Sequence, residues 1–152
     1  NVVMEGYWDQ PDQTAMAIRD GFFYTGDGGL IDESNYVIIA DRKKDVIVTG
    51  GENVSSIEVE DAIFQHPDVT EVAVIGIPDE KWGELVTALV VTAPGSTLTE
   101  DDVIAWAKTK LAGYKCPKKV EFRTELARTA TGKLQKFKLR EPFWEGRTRQ
   151  VN

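Results

Sequence analysis

The chain has 152 residues, 41% of them apolar and 28% charged, which excludes a wholly disordered protein. Its longest apolar run, near Val86 to Ala93, is interrupted by Thr87 and Thr92 and is too short to span a bilayer, so no transmembrane segment is expected. The net charge of −7 is split unevenly: residues 1–106 carry −16 and residues 107–152 carry +9.

An acidic body discourages non-specific nucleic-acid binding, and no nucleic-acid partner is expected. The basic end reads either as a solvated tail or as an attractor for nucleotide phosphates. No basic stretch followed by an apolar one opens the chain, so no secretory leader is expected. The single cysteine, Cys116, cannot form an internal disulfide, and a cytoplasmic location is expected. His66 is the only histidine, which excludes a zinc finger and any multi-histidine metal site; no metal ligand is assigned. A chain opening on Asn1 rather than Met reads as an excerpt.

Along the chain, Gly21 to Tyr24 and Gly28 to Ile31 are short apolar runs. Asp32-Glu33-Ser34-Asn35 reads as a turn and Tyr36 to Ile39 as the returning strand of a hairpin. The charged stretch Asp41-Arg42-Lys43-Lys44-Asp45 separates two apolar runs and reads as a linker or hinge. Val46 to Val48 is a short strand ending at Gly50-Gly51. Ser55 with Glu58 predicts a capping box at a helix start, Ser55 capping while Glu58 reaches back, with Pro67 enforcing the end. Val69 to Ile77 and Leu85 to Ala93 are β-branched-rich strands joined by the Pro78–Gly83 loop. Thr99 with Asp102 predicts a second capping box, Val103, Ile104, Ala107 and Leu111 stripe the helix, and Gly113 is expected to close it. Lys119 to Arg123 is a last strand, Thr129 to Gly132 a polar turn, and Phe137 to Trp144 a short helix despite Pro142.

From residue 46 the order is β-α-β-β-α-β, which predicts an α+β fold: a small mixed sheet with helices on one face. Residues 1–43 lack the apolar sequence for a core of their own and read as the trailing part of something else. The expected domains are therefore 1–43 and 44–152.

Several motifs carry candidate chemistry. Asp27, in Thr25-Gly26-Asp27, is either a turn residue or an acceptor for vicinal hydroxyls such as a ribose diol. Gly50-Gly51 is either a plain turn or a place where backbone approaches a ligand closely. Trp82 is either a core anchor or an exposed stacking platform. Tyr114-Lys115-Cys116-Pro117-Lys118-Lys119 sets an aromatic beside lysines, suited to an adenine and its phosphates or to a solvated loop. Ala130-Thr131-Gly132-Lys133 is not a P-loop, because Ala127 replaces the first glycine and Leu134 the Ser/Thr. What remains is a lysine on a Thr/Gly loop, a surface charge or a reach-over one. His66 before Pro67 reads as a helix-end residue facing the helix dipole. An RNA-recognition module would carry aromatics on the central strands; Val72 to Ile77 and Val86 to Val91 have none.

In order and spacing, Gly6-Tyr7-Trp8, Gly21–Asp27, Asp41–Asp45, Gly50–Val54, Trp82-Gly83-Glu84, Tyr114–Lys118 and Arg128–Lys133 together resemble the C-terminal part of the AMP-forming acyl-CoA synthetases, of the adenylate-forming superfamily. The resemblance covers about residues 6–140. It implies a two-step ligase: a carboxylate, fatty by expectation, attacks the α-phosphate of Mg2+-bound ATP, and the thiol of CoA then displaces AMP. It implies a small C-terminal lid that swings about a hinge between the steps. Carried over, Asp27 binds the ribose hydroxyls, Arg42 contacts the nucleotide, and Lys44 is the hinge. Gly50 and Gly51 line the pantetheine path, Trp82, Tyr114 and Lys118 lie near CoA, and Lys133 is the adenylation lysine.

Two residues depart from the pattern. Ala127 replaces a usual proline and is expected to loosen the Lys133 loop, and Cys116 replaces a basic residue, removing a CoA phosphate contact. The phosphate loop, the large N-terminal domain and the acyl pocket of the family are missing, so the isolated chain is expected to be inactive and to have that domain as its partner. The alternatives are the lid of a peptide-synthetase adenylation domain and a stand-alone nucleotide- or partner-binding module. The first should continue into a carrier domain, and Val151-Asn152 ends without one.

Overall fold

The computed structural model describes residues 3–147. Asn1 and Val151-Asn152, used above to read the chain's ends, lie outside them. The chain divides into two compact units, Asn1–Lys43 and Lys44–Asn152.

The first unit contains helix α1 (Pro11–Ala17), a two-residue hairpin of β1 (Ile18–Arg19) and β2 (Phe22–Phe23), and a longer hairpin of β3 (Asp27–Ile31) and β4 (Val37–Arg42). α1 was not anticipated: Pro11 starts it, but its seven residues carry no apolar stripe and none is buried. The Asp32 carboxylate closes the second turn, accepting from the backbone N–H of Ser34 and Tyr36. Among the described residues of this unit only Asp41 is buried.

The second unit holds its own core. Strands β5 (Ile47–Thr49), β6 (Glu52–Val54), β7 (Val69–Asp79), β8 (Gly83–Thr92) and β9 (Lys119–Phe122) form one sheet. β7 and β8 are a long antiparallel pair. Along the opposite edge of β8, β5 meets Gly83 antiparallel, and β9 runs parallel from Thr87 to Val90. The expected α+β mixed sheet is therefore present, with one strand more than the sequence reading supplied. Gly50 and Gly51 both have positive φ, the two-residue hairpin turn that Gly-Gly favours, and they fold Glu52–Val54 back onto β5.

Helices α2 (Ser56–Phe64) and α3 (Glu100–Lys108) cover one face. Val59, Ile63, Val103 and Ala107 pack there with Val74, Ala88, Val90 and Val120. The expectation of helices on one face only is corrected by α4 (Lys136–Trp144), which covers the other. Leu139 and Phe143 pack there with Ala73, Ile75, Ile77, Leu89 and Leu126. With both faces covered, β7 and β8 read as continuous apolar runs instead of alternating ones. Pro142 sits inside α4 without ending it.

Side chains cap parts of two edge strands. The Glu60 carboxylate accepts from Val74 N at 2.7 Å, and the Trp144 indole N–H donates to Gly76 O at 2.9 Å, both on β7. On β9, Val120 N donates to Glu100 at 2.7 Å. An unpaired strand edge invites pairing with another chain, and these side chains satisfy it instead.

Thr99 with Asp102 forms the full reciprocal box, as expected. At α2 the expected box is corrected to its first half: Ser55 accepts from Glu58 N, while the Glu58 carboxylate turns to Lys115. One further detail differs. α3 ends at Lys108 with Thr109 as its C-cap, so Gly113 does not close it; Leu111 reaches the core from the following turn. His66 Nδ1 accepts from Asp68 N at 3.2 Å, with its ring edge-on to Trp106, so that nitrogen holds the turn that follows α2.

Candidate functional site

Three groups of predicted site residues can be located, one in the first unit and two in the second. In the first, Asp27 opens β3 directly opposite Arg42 of β4. Arg42 Nε lies 3.6 Å from Asp27 Oδ1, with the guanidinium side chain 62% exposed and the carboxylate side chain 29%. A pair this open contributes less than about 1 kcal/mol to stability. It offers an acceptor for hydroxyls beside a cation for an anion. Thr25 Oγ1 accepts from Asp27 N and shapes the turn that delivers the carboxylate.

The second group sits where β8 begins. Gly50 N donates to Trp82 O at 2.8 Å, and a Cβ on Gly50 would lie 3.0 Å from Trp82 Cε3. Trp82 is therefore stacked close over a bare backbone. Its own turn is held by Asp79, whose carboxylate accepts from Lys81 N and Trp82 N at 2.9 and 2.8 Å. The indole is 41% exposed, with the Lys81 ammonium 4.8 Å from its centre. Of the two readings left open for Trp82, its exposure speaks against a core anchor. Gly51, Trp82, Glu84 and Trp144 line a cleft of about 540 Å3 beside it.

Glu84, quoted in the sequence only as part of a motif, is 3% exposed and accepts from Val48 N at 2.8 Å. Its Oε2 would lie 2.7 Å from a Cβ on Gly76, so the neighbouring strand must carry glycine there. This buried carboxylate fastens β5, and with it the Gly50-Gly51 turn, to the start of β8.

Tyr114 and Lys118 share the loop between α3 and β9. Lys118 N donates to Val86 O at 2.9 Å, which places the loop at the same end of the sheet as Gly83. Tyr114 is 45% exposed, and Lys118 is exposed. Lys115 between them bonds both oxygens of Glu58 at 2.6 and 2.8 Å; this hydrogen bonding raises the lysine pKa above its ordinary value. Cys116 is fully buried in the first core cluster, and burial pushes its thiol pKa up. Position 116 here is thus a core position, and a surface phosphate contact could not come from it.

Lys133 lies at the opposite end. Arg128 Nε donates to Glu71 at 3.0 Å near the start of β7, and its Nη1 donates to Gly132 O at 2.8 Å. From Glu71 to Asp79, β7 runs eight residues, about 26 Å at ~3.3 Å each. The expected looseness of the loop is corrected. Thr129 N donates to Lys133 O at 2.8 Å, Lys133 N to Thr129 Oγ1 at 3.0 Å, and Gln135 N to Ala127 O at 2.8 Å. The turn is fastened; the exposed lysine side chain is the part free to reach.

Lys44 opens the second unit, and its carbonyl accepts from Arg140 on α4 at 3.1 Å. Sequence reasoning missed Arg140 because nothing in its neighbourhood marks it; the contact spans 96 positions. Among the described residues no group of three or more His, Cys, Asp or Glu could hold a metal ion, and no helix is long and apolar enough to cross a membrane.

A family model described as the AMP-binding enzyme C-terminal domain matches residues 58–133. The chain is 47% identical over 141 residues to a feruloyl-CoA synthase of Amycolatopsis sp, covering 93% of this chain and 29% of that protein. It is 46% identical over 139 residues to a long-chain-fatty-acid–CoA ligase of Bacillus subtilis (strain 168), covering 91% and 25%. Among solved structures it resembles ATP-bound MatB from Rhodopseudomonas palustris, with a TM-score of 0.83, 47% identity, and coverage of 91% of this chain and 28% of that one. The chain thus spans less than a third of the length of each of these three proteins.

Proposed function

The chain belongs to the AMP-binding enzyme C-terminal domain family, and on that premise we propose that it is the C-terminal part of a longer AMP-forming acyl-CoA ligase. The acid is taken to be fatty, as in the Bacillus relative. In the first step the carboxylate oxygen attacks the α-phosphorus of ATP, a P–O bond breaks, and pyrophosphate leaves. In the second the CoA sulfur attacks the acyl carbon, the thiol proton departs, and AMP leaves.

In this reading residues 1–43 close an N-terminal domain that the partner segment supplies, and residues 44–152 are the lid. Asp27 accepts from the ribose hydroxyls and Arg42 contacts the nucleotide. Magnesium would arrive with ATP and be held outside this chain. Lys133 brings a positive charge to the oxygens where negative charge develops, an effect worth a few kcal/mol in a water-poor site. Gly50 and Gly51 let the pantetheine arm pass close to backbone, while Trp82, Tyr114 and Lys118 meet the rest of CoA. Lys44 is the pivot. A reducing, cytoplasmic setting suits a chain whose single thiol is unpaired and buried.

One observation carries the proposal: the Lys133 loop and the Gly50-Gly51-Trp82 group lie at opposite ends of one rigid sheet. Two chemical steps that need different groups at one place are served by turning such a body. In the full-length ligase, Lys133→Ala should therefore reduce acyl-adenylate formation by at least about a hundredfold, in keeping with one lost electrostatic contact. Thioester formation from supplied acyl-adenylate should change little. Measuring pyrophosphate exchange and thiolysis separately checks this, and equal losses would reject the two-ended reading.

A further inference from the structure

We propose that Arg140 is a positioning residue that sets where the turning body begins, by holding the peptide plane between Lys44 and Asp45 to α4. The inference rests on the ligase reading above, and it deepens that reading by supplying the anchor against which a pivot can act.

Helix α4 is fixed to the sheet along its length. Leu139 and Phe143 pack into the second apolar cluster, and Trp144 donates to Gly76 O. Lys136 Nζ lies 2.7 Å from both Glu60 and Ser56 Oγ. From this fixed helix Arg140 Nη1 donates to Lys44 O at 3.1 Å and to Asp45 Oδ1 at 3.3 Å. The Arg140 and Asp45 side chains are only 13% and 12% exposed. One guanidinium nitrogen thus holds a backbone carbonyl and the next residue's carboxylate together, largely out of water.

Because the peptide group is planar, holding Lys44 O fixes the whole Lys44–Asp45 plane relative to α4. Two residues on, Ile47 is fully buried and starts β5, so the chain downstream is committed to the sheet. Upstream of the held plane, the nearest rotatable bonds are those of Lys44 itself. The division into compact units falls at the same place, between Lys43 and Lys44. A pivot confined to one residue returns a rigid body to defined orientations, whereas one spread over several residues does not.

Arginine suits the task better than lysine. Both bonds leave from Nη1, which the planar guanidinium carries at the end of a long stem; a lysine nitrogen would have to reach the same point from a shorter, more flexible one. Arg140→Lys therefore keeps a positive charge near the Asp45 carboxylate and weakens the hold on the carbonyl, which makes it the milder variant. Arg140→Gln removes the charge and both Nη1 bonds.

The test has two arms. In this chain, limited trypsin digestion followed by mass spectrometry compares cleavage after Lys44 with cleavage after Arg42. Arg140→Lys should raise that ratio about tenfold, with cleavage after Lys108 and the thermal midpoint unchanged. Arg140→Gln should raise it further; if that variant does not fold, Arg140→Lys alone decides. An unchanged ratio would overturn the anchor. In the full-length ligase, coupled turnover of Arg140→Lys should fall about fivefold more than either half-reaction assayed alone, because only the coupled reaction requires repeated turning. A loss carried entirely by one half-reaction would overturn the positioning role. If the tryptic ratio rises while the parent shows no ligase activity at all, the anchor is supported and the ligase reading is the one rejected.

Discussion

The two units of this chain solve the problem of apolar surface in opposite ways. The second buries two clusters of aliphatic side chains on the two faces of its sheet. The first buries a single described residue, and it is an aspartate. Trp8, ahead of α1, is 94% exposed; Tyr36 is 72% and Phe22 70% exposed, in hairpins of two and six residues per strand at most. Two-stranded hairpins are marginal in water without a covering layer. Regular secondary structure alone is therefore a poor sign of independent stability. The second unit carries two apolar clusters of its own, and the described residues of the first carry none.

The sharpest way to break this contrast is to separate the units. A peptide of residues 1–43 should show no cooperative thermal transition by circular dichroism. Residues 44–152 should unfold in one step with stability within about 1 kcal/mol of the whole chain. A cooperative transition in the first peptide would end the comparison. A matched pair of isoleucines then measures it. Ile63 is fully buried and Ile31 is 68% exposed. In this chain Ile63→Ala should cost about 2–5 kcal/mol in denaturant titration, and Ile31→Ala less than about 0.5 kcal/mol.

The same contrast was largely legible beforehand. Residues 1–43 showed too little apolar sequence for a core, and the long runs at 69–77 and 85–93 declared the central strands. What stayed hidden was non-local. Glu52 and Asn53 have weak strand preference, so β6 exists because the Gly50-Gly51 turn returns the chain to β5, a pairing that local propensity does not report. Cys116 sits in a basic, polar stretch, yet its neighbour Pro117 is also buried and the loop turns inward there. Asp27 and Arg42 were each legible as motif members, but their cross-strand register required the hairpin. Glu84 and Arg140 act across 36 and 96 positions, distances at which no sequence period speaks.

The boundary between the units offers a smaller effect. Pro at position 44 would fix φ near −65° and restrict the residue before it. In the full-length ligase Lys44→Pro should lower CoA-dependent turnover at least tenfold, about 1.4 kcal/mol in barrier. Pyrophosphate exchange should survive far better, since it asks for one orientation only. Parallel loss in both half-reactions would mean that residues 41–45 are a rigid turn.

The smallest effect belongs to the start of α3, a helix with no counterpart in the first unit, whose α1 has no side-chain cap. Thr99 Oγ1 accepts from Asp102 N at 3.3 Å, and the Asp102 carboxylate accepts from Thr99 N at 3.0 Å and from the Thr99 hydroxyl. The hydroxyl bond first, and the backbone bond second, hold the Asp102 carboxyl below its ordinary pKa; slight desolvation opposes this, and His66 adds a smaller lowering. A carboxyl whose pKa is lower folded than unfolded stabilises the fold above the unfolded pKa and loses that contribution as pH falls through the folded one. Thr99→Ala removes both the cap and the hydroxyl bond to the carboxylate, and should lower stability measurably at neutral pH. The difference between parent and variant should shrink as pH falls below about 4, where the carboxylate protonates in both. Denaturant titrations of both proteins at pH 7 and at pH 3 check this, and a difference that does not change with pH would assign the whole effect to the Thr99 hydroxyl bonding Asp102 N, with no share from the carboxylate.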